Sequence, residues 1–274
     1  STAENGKVSR IVPHLSEGAG VATTRGDIDI VVTEYGIAEL RRKSIYQRVI
    51  ELAQIAHPKF RQELIDEAKK RRYIFPDQMT PSSQDLLFLD DYQYTKMLPM
   101  GKHLEFRPLL PSDEFESRNF FYSLQEDTIY YRFFNKRKVF SREMLQKQWA
   151  SVDYRRNMSI IGLRQIGRRK QIIAIGSYAE AEENTAEVAF LVKEDLHGLG
   201  IGSYLLEILE GIARKNGYSR FVATVLAENR KMIRVFQKHY PNAKVVRTGG
   251  GEVEVIMDFP PPLAEQQEQA KELL

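Results

Sequence analysis

The spacing of apolar residues along the chain predicts two stretches of mixed α/β structure. Near the beginning, apolar runs at residues 8–13 and 28–32 predict short strands, and helical periodicity follows Ser44 and Pro58, both suited to begin a helix. Beyond residue 103 the pattern alternates repeatedly between strand and helix periods. The elements predicted there are, in order, a strand at 104–109, a helix from Ser112 or Asp113 toward Leu124, a helix at 141–149, strands at 158–163, 171–179 and 187–192, a helix at 201–215, a strand at 220–225, a helix at 228–240, and strands at 244–247 and 253–259.

The interval between these two stretches has no clear period. Residues 77–102 combine Pro, Ser and Asp with isolated apolar residues, which is typical of a linker that is partly docked. The predicted organisation is therefore an α/β segment at 1–76, a linker at 77–102, a second α/β domain at 103–260 and a polar tail at 261–274.

Composition narrows the classes of partner and chemistry. The 274 residues carry a formal net charge of +3, which is too small to indicate a nucleic-acid partner. The chain has no cysteine, so disulfides, thiolate metal sites and a cysteine nucleophile are excluded. No apolar run is long enough to span a bilayer. We expect a cytoplasmic protein without a nucleic-acid partner, a membrane partner or a bound metal.

One glycine-rich turn carries the strongest chemical signal. A buried strand ends at Val192, and Gly198, Gly200 and Gly202 then lead directly into an amphipathic helix. Glycines let the backbone approach an anion closely, and a helix N-terminus favours negative charge. The turn either binds a diphosphate or uses its glycines for close packing alone. A Walker loop is excluded because no Lys follows the last glycine, and Leu205 stands where a dinucleotide fingerprint has its third glycine.

The order His197-x-x-Gly200-x-Gly202 resembles motif A of the GCN5-related N-acetyltransferases (GNATs), which binds the pyrophosphate of acetyl-CoA. His197 replaces the usual Gln or Arg. Asn229 and the helix that follows it resemble motif B, which lies under the CoA arm. The order of predicted elements over residues 103–260 is similar as well. The resemblance implies an α/β fold with a mixed sheet flanked by helices, which splays open after its fourth strand, and acetyl-CoA as cosubstrate.

Three further segments resemble the catalytic domain of bacterial protein lysine acetyltransferases: Phe106–Leu109, Tyr131–Phe134 and Thr185–Val192. In that group the acidic residue at the position of Glu187 is regarded as the general base. The resemblance therefore implies that Glu187 accepts the proton of a protein lysine, directly or through a water. The alternative is that Glu187 is a polar residue on the solvent face of an edge strand. Alternation along this strand predicts one face with Glu187, Ala189 and Leu191 and the other with Val188, Phe190 and Val192.

The GNAT resemblance also implies the roles of the remaining site residues. Backbone groups near Leu191 and Val192 would hold pantetheine and stabilise the oxyanion, and N–H groups over residues 199–203 would hold the diphosphate. His197 either adds a donor to a phosphate oxygen or is a surface loop histidine. The residues assigned to acetyl-CoA are Leu191, Val192, His197, Gly198, Leu199, Gly200, Ile201, Gly202, Ser203, Asn229 and Phe236.

Phe236 departs from the family pattern. Many members have a tyrosine here that protonates the departing thiolate, and phenylalanine cannot donate a proton. A thiol pKa of about 8.5 makes CoA a fairly good leaving group, so either no acid is needed or a water serves. Tyr240, one turn further along the helix, is a weaker alternative and is better suited to packing.

The first part of the chain carries a second resemblance. Residues 1–72 are similar to the C-terminal end of acetyl-CoA hydrolases and CoA-transferases of the 4-hydroxybutyrate type, through Ser9–Pro13, Thr23–Arg25, Val32–Gly36 and Ile55–Arg61. In that family the glutamate that forms the acyl intermediate lies well upstream of this stretch, so Glu34 is assigned no catalytic role. The resemblance implies an upstream CoA-transferase domain of the same parent chain as a partner.

Three functions are compatible with these observations. The first is acetyl-CoA-dependent N-acetylation, with protein lysines as the expected acceptors. The second is a regulatory domain that binds acetyl-CoA without transferring the acetyl group. The third is CoA transfer or thioester hydrolysis by the intact parent protein, which we expect this chain to lack.

Overall fold

A computed structural model describes residues 1–41, 43–78, 91–98, 103–135, 139–141, 154–167 and 169–260. The chain divides into two compact units, Ser1–Ser83 and Gln84–Leu274. Most of the predicted helix at 141–149 and the whole predicted tail at 261–274 lie outside the described residues. None of the helices within the described ranges is both long and apolar enough to cross a membrane.

Among its described residues, the smaller unit has two helices and two small antiparallel sheets. Its elements are β1 (Thr2–Ala3), β2 (Val8–Ser9), β3 (Ile30–Thr33), β4 (Gly36–Glu39), α1 (Ile45–Gln54) and α2 (Pro58–Lys70), with β1 paired to β2 and β3 paired to β4. Ser44 caps α1 as predicted: its hydroxyl accepts from the Gln47 N–H, and the Gln47 side chain accepts from the Ser44 N–H. The two helices pack through a cluster that includes Ile50 and Ile65.

The larger unit is built on one eight-stranded mixed sheet. Its strands are β5 (Tyr94–Met97), β6 (His103–Pro108), β7 (Asn157–Ile166), β8 (Arg169–Glu182), β9 (Thr185–Val192), β10 (Arg220–Leu226), β11 (Lys244–Gly249) and β12 (Glu252–Asp258), in the spatial order β11-β12-β10-β9-β8-β7-β6-β5. The β9–β10 pair is parallel and the others are antiparallel.

Helices cover both faces of this sheet. They are α3 (Glu114–Tyr122), α4 (Glu126–Phe133), α5 (Ile201–Lys215) and α6 (Arg230–His239), with single turns of 3₁₀ helix at Pro111–Asp113 and Glu194–Leu196. Side chains of α5 and α6 share one apolar cluster with Val188 and Phe190 of β9. Leu191 belongs to a second cluster, which includes side chains of α3 and α4. The predicted alternation along β9 is therefore confirmed.

The parallel pairing between β9 and β10 is short. It covers Thr185, Ala186 and Glu187 of β9, with Glu187 opposite Val222. Strand β10 continues to Leu226 but pairs there only with β12, among the described residues. The sheet therefore opens on one side of β9 after Glu187, which agrees with the split that the resemblance implied.

The sequence did not predict strand β5, helix α4 or the 3₁₀ turns of the larger unit. Strand β5 lies within the interval interpreted as a linker, and it pairs with β6 so that Tyr94 is opposite Phe106. A run of four residues carries too little periodicity to indicate a strand without its partner. Helix α4 is also short, and Ile129 is its one fully buried residue. By contrast, α5 matches its predicted bounds, because a glycine turn and a regular apolar stripe mark it.

Helix α5 approaches β9 closely at Gly202. A Cβ at this position would lie 2.9 Å from Cε2 of Phe190. The Phe190 ring is itself buried, with its centroid 5.6 Å from that of Phe236. The side chain of residue 202 must therefore be a hydrogen atom for α5 to pack at this distance.

Glu210 connects α5 to the end of α6. Its carboxylate accepts hydrogen bonds from Tyr240 (2.7 Å) and Arg214 (2.7 Å), and it lies 3.4 Å from His239 Nε2. Burial opposes ionisation, but the hydrogen bonds from His239, Tyr240 and Arg214 hold the pKa of Glu210 below its ordinary value. The ionised carboxylate therefore stabilises the folded state.

Gly202→Ala is expected to destabilise the protein by about 1–3 kcal/mol, because the added methyl overpacks the contact with Phe190. Gly211→Ala on the same helix is the matched control. A Cβ at position 211 would have no neighbouring atom within 4 Å. This substitution should stabilise the protein by about 0.5–1 kcal/mol. Urea unfolding of both variants checks this, and equal effects would contradict the packing argument.

Glu210→Gln is expected to lower the free energy of unfolding at pH 7 by about 1–3 kcal/mol, as for loss of hydrogen bonds to a charged group. Because the folded-state pKa lies below the ordinary value of 4.5, this stabilisation is complete above that value and disappears as the pH falls through the folded-state pKa. The deficit of the variant should therefore shrink in acid. Glu207→Gln, an exposed site on α5, should show neither effect.

Candidate active site

The opening beside β9 forms a cavity of about 940 Å³, bounded by β9, β10, α4, α6 and the start of α5. All but one of the predicted site residues line it: Glu187, Leu191, Val192, His197, Gly198, Gly200, Ile201, Gly202, Ser203, Asn229 and Phe236. The exception is Leu199, whose side chain is 37% exposed to solvent. The structure therefore gathers residues that are up to 49 positions apart in sequence, from Glu187 to Phe236.

The glycine turn presents backbone groups to this cavity. Gly198 and Gly200 have φ of +79° and +72°, a region that favours glycine, and a Cβ at either position would meet only open space. Gly200 occupies the N-cap of α5 and no side chain caps the helix. The first N–H groups of α5 and the positive end of its dipole are therefore available to an anion.

The backbone of β9 points alternate groups toward the opening. The Lys193 N–H donates to the Ile173 carbonyl at 2.9 Å, and Leu191 is opposite Ile175 in the same register. Alternate residues of an antiparallel pair exchange both hydrogen bonds, so the N–H of Leu191 points at β8. Those of Phe190 and Val192 point the other way, toward the cavity. Of the two residues predicted to supply an oxyanion donor, the geometry favours Val192.

His197 connects the turn to the end of β9. Its Nε2–H donates to the Val192 carbonyl, with the two atoms 2.8 Å apart. A neutral ring in this tautomer leaves Nδ1 as an acceptor, so it cannot also donate to a phosphate oxygen. Only the protonated ring offers a second donor.

Glu187 is exposed on the cavity wall, on an interior strand of the sheet. Strand β9 is therefore not an edge strand, although the exposure of Glu187 agrees with the solvent-face part of that alternative. Arg132 of α4 lines the same cavity and is close enough to interact electrostatically with this carboxylate. Burial lowers the pKa of Arg132, and the negative charge of Glu187 acts in the opposite direction.

Helix α4 is held over the cavity by Glu194. The carboxylate of Glu194 accepts from the Gln125 N–H (2.9 Å) and from Thr128 Oγ1 (2.5 Å), which are the N-cap residue and the third residue of α4. Burial opposes ionisation of Glu194, but these hydrogen bonds keep its pKa below the ordinary value. The turn after β9 thereby positions the helix that carries Arg132.

The structure separates the two candidates for a general acid. Phe236 lines the cavity and is 1% exposed, with no hydroxyl to donate. Tyr240 is buried outside the lining and donates to Glu210 at 2.7 Å. Burial raises the pKa of Tyr240, and Glu210 raises it further. Its packing role is therefore favoured over proton transfer.

Helix α6 adds positive charge that sequence reasoning had not assigned. Arg230, Arg234 and Lys238 are spaced four residues apart and line the cavity. The spacing could have been found from the sequence, because residues four apart share one helix face. Asn229 begins this helix, and its Oδ1 accepts from the Met232 N–H at 3.2 Å.

Arg132 and Glu194 were also missed. Arg132 lies in the Tyr131–Phe134 segment, which was noted only as part of a resemblance. Its proximity to Glu187 requires α4, a helix that the sequence did not reveal. The contact of Glu194 with Thr128 joins residues 66 positions apart, and no local pattern indicates it.

Comparison with known proteins agrees with both predicted resemblances. The acetyltransferase (GNAT) family model matches residues 119–240, and the C-terminal domain of acetyl-CoA hydrolases and transferases matches residues 1–68. The 4-hydroxybutyrate coenzyme A transferase of Clostridium kluyveri is 56% identical over 71 residues, which are 26% of this chain and 17% of that protein. The chain thus spans about a sixth of the length of this relative.

The larger unit has its own relatives. Acetyltransferase PA5475 of Pseudomonas aeruginosa is 30% identical over 140 residues, covering 51% of this chain and 75% of that protein. The crystal structure of the GNAT domain of S. lividans PAT matches with a TM-score of 0.55 and 28% identity, covering 62% of this chain and 98% of that one. The fold, the order of its motifs and these likenesses agree: the chain belongs to the GNAT family of acetyltransferases.

Proposed function

We propose that this chain transfers the acetyl group of acetyl-CoA to the side-chain amine of a lysine on a protein. One observation carries the proposal: the exposed carboxylate of Glu187, the N–H of Val192 that points away from β8 and the uncapped start of α5 all face one cavity. They would serve as the proton acceptor, the oxyanion donor and the anion site that acetyl transfer requires.

The charges of the cavity suit acetyl-CoA. Its diphosphate would lie on the N–H groups at the start of α5, where Gly198 and Gly200 leave open space. Arg230, Arg234 and Lys238 of α6 would supply positive charge to its phosphates. The pantetheine arm, which carries amides, would hydrogen-bond the backbone groups of β9 that β10 leaves unpaired.

The reaction begins with removal of a proton. A lysine amine has an ordinary pKa of about 10.4 and is mostly protonated at neutral pH. Glu187 would accept that proton, directly or through a water. The amine nitrogen then attacks the thioester carbon, and the Val192 N–H would stabilise the charge that develops on the carbonyl oxygen.

Collapse of this intermediate breaks the carbon–sulfur bond, so that the CoA thiolate leaves with the electron pair, and the nitrogen releases its second proton to water as the neutral amide forms. Phe236 cannot protonate it. With a thiol pKa of about 8.5, the thiolate is stable enough near neutral pH to leave without an acid.

A protein lysine is supported as the acceptor by the three segments that resemble bacterial protein lysine acetyltransferases. The exposure of Glu187 supports the same acceptor, because a long aliphatic amine that projects from another protein can reach this carboxylate from solvent. No CoA transfer is proposed for residues 1–68, since no acyl-accepting glutamate is assigned there.

Glu187→Gln is expected to lower kcat for transfer from acetyl-CoA to a lysine-bearing protein by about 10²–10⁴-fold, because the amide cannot accept the proton. The dissociation constant for acetyl-CoA, measured by calorimetry, should stay within about twofold, since Glu187 is assigned to the amine rather than the phosphates. Glu182→Gln, at an exposed glutamate on β8, is the matched control and should be fully active.

Three outcomes distinguish the alternatives in this experiment. Full activity of Glu187→Gln would remove the proposed base. Tight acetyl-CoA binding by the wild type without transfer to any amine would favour a sensing domain. Transfer to free small amines but to no protein would retain the chemistry and reject the acceptor.

Phe236→Tyr is expected to change kcat for acetyl transfer by less than about threefold, because the thiolate needs no acid. The pH profile of kcat should keep its shape, whereas a working tyrosine acid would add a falling limb at high pH. A rise in kcat of tenfold or more would contradict this prediction, because it would show that protonation of the thiolate limits the wild-type enzyme. Phe190→Tyr, whose ring contacts that of Phe236, controls for adding a buried hydroxyl.

A further inference from the structure

The hairpin of β3 and β4 in the smaller unit has one apolar face that is exposed. Ile30 and Val32 of β3 and Ile37 of β4 are 58%, 67% and 64% exposed. Val32 is directly opposite Ile37, so the three side chains lie together on one face. We call these three residues the hairpin patch.

The opposite face of this hairpin is already covered. Val31 and Ala38 are opposite each other in the register and pack with Ile55 and Leu52 of the same unit. The patch is therefore not the core side of the sheet. Soluble proteins seldom leave clustered β-branched residues exposed unless the surface binds something.

The β3 edge of the hairpin also has backbone groups that point away from β4 and, among the described residues, pair with no other strand. The Leu40 N–H donates to the Asp29 carbonyl, which sets the alternation of the ladder. By that alternation Ile30 and Val32 point their N–H and C=O groups away from β4. A two-stranded sheet is only marginally stable, and added strands would satisfy these groups.

The similarity of the smaller unit to CoA-transferases indicates which partner covers the hairpin patch. Residues 1–68 match the C-terminal domain of acetyl-CoA hydrolases and transferases, and the 56% identical CoA-transferase is about six times as long as the matched stretch. Identity at this level implies that the smaller unit keeps the surface by which such a segment packs against the rest of its fold. Further exposed apolar residues in the same unit fit this view: Val8, Val12, Leu15 and Val21.

We propose that the hairpin patch binds the remaining part of a CoA-transferase fold, which adds strands to the β3 edge and covers Ile30, Val32 and Ile37. The smaller unit would thereby attach the acetyltransferase unit to a CoA-thioester enzyme. This inference does not depend on the acetyl transfer proposed above, and it concerns a different surface.

The test co-expresses the intact 274-residue chain with the Clostridium kluyveri 4-hydroxybutyrate CoA-transferase from which the matched 71-residue segment has been removed. We expect the truncated transferase to become soluble and to co-purify with the chain as a 1:1 complex, measured by light scattering. Val32→Asp with Ile37→Asp should weaken the complex by at least about 30-fold, as expected for loss of an interface centre worth about 2 kcal/mol.

Val246→Asp is the matched control, because Val246 is an exposed strand valine in the larger unit. It should leave the complex intact. The Val32/Ile37 variant should keep the wild-type melting temperature, since its side chains are mostly in solvent, and its acetyl transfer should be unchanged.

Several outcomes would overturn the proposal. One is a truncated transferase that stays insoluble in the presence of the wild-type chain, because a fitting segment should complete its fold. Another is a complex that tolerates the two aspartates. A third is self-association of the chain that the aspartates abolish, which would assign the patch to a second copy.

Discussion

The short parallel ladder between β9 and β10 is the constraint on which the rest of the larger unit depends. The pairing covers Thr185 to Glu187 and then opens, although β10 continues beside β12. Opening the ladder leaves a row of backbone groups on β9 without a strand partner. It also gives α5 room to begin at the end of the gap. The cavity, its hydrogen-bond donors and the exposure of Glu187 all follow from the point at which these two strands separate.

Two different demands are placed on the glycines that follow this opening. Gly198 and Gly200 adopt a backbone conformation that side chains disfavour, and they leave space in front of the helix. Gly202 instead permits contact between α5 and Phe190. Of the two explanations that the sequence left open, close packing therefore applies to Gly202, whereas the open space at Gly198 and Gly200 is compatible with the proposed anion binding. A motif of three glycines should not be assigned a single role.

Much of the larger unit could be predicted from the sequence, because its central elements carry strong local signals. The bounds of α5 follow from the glycine turn and a regular apolar stripe, and the alternation on β9 predicted which side chains enter each core cluster. Strand β5 and helix α4 were missed, since each is short and depends on contacts distant in sequence. The hydrogen-bond direction along β9 could not be read either, because it depends on the register with β8. Arg132 and Glu194 could not be assigned to the site for a similar reason: their positions depend on contacts between residues that are distant in sequence.

The hydrogen bonds of Glu194 link the two ends of the cavity. One residue in the turn between β9 and α5 accepts hydrogen bonds from the first turn of α4, so the position of this turn and the position of the wall beside Glu187 depend on each other. If a ligand at the turn changes the affinity for a second ligand beside Glu187, the second ligand changes the affinity for the first by the same factor. The two ends of the cavity are therefore coupled in binding free energy, whichever end is occupied first.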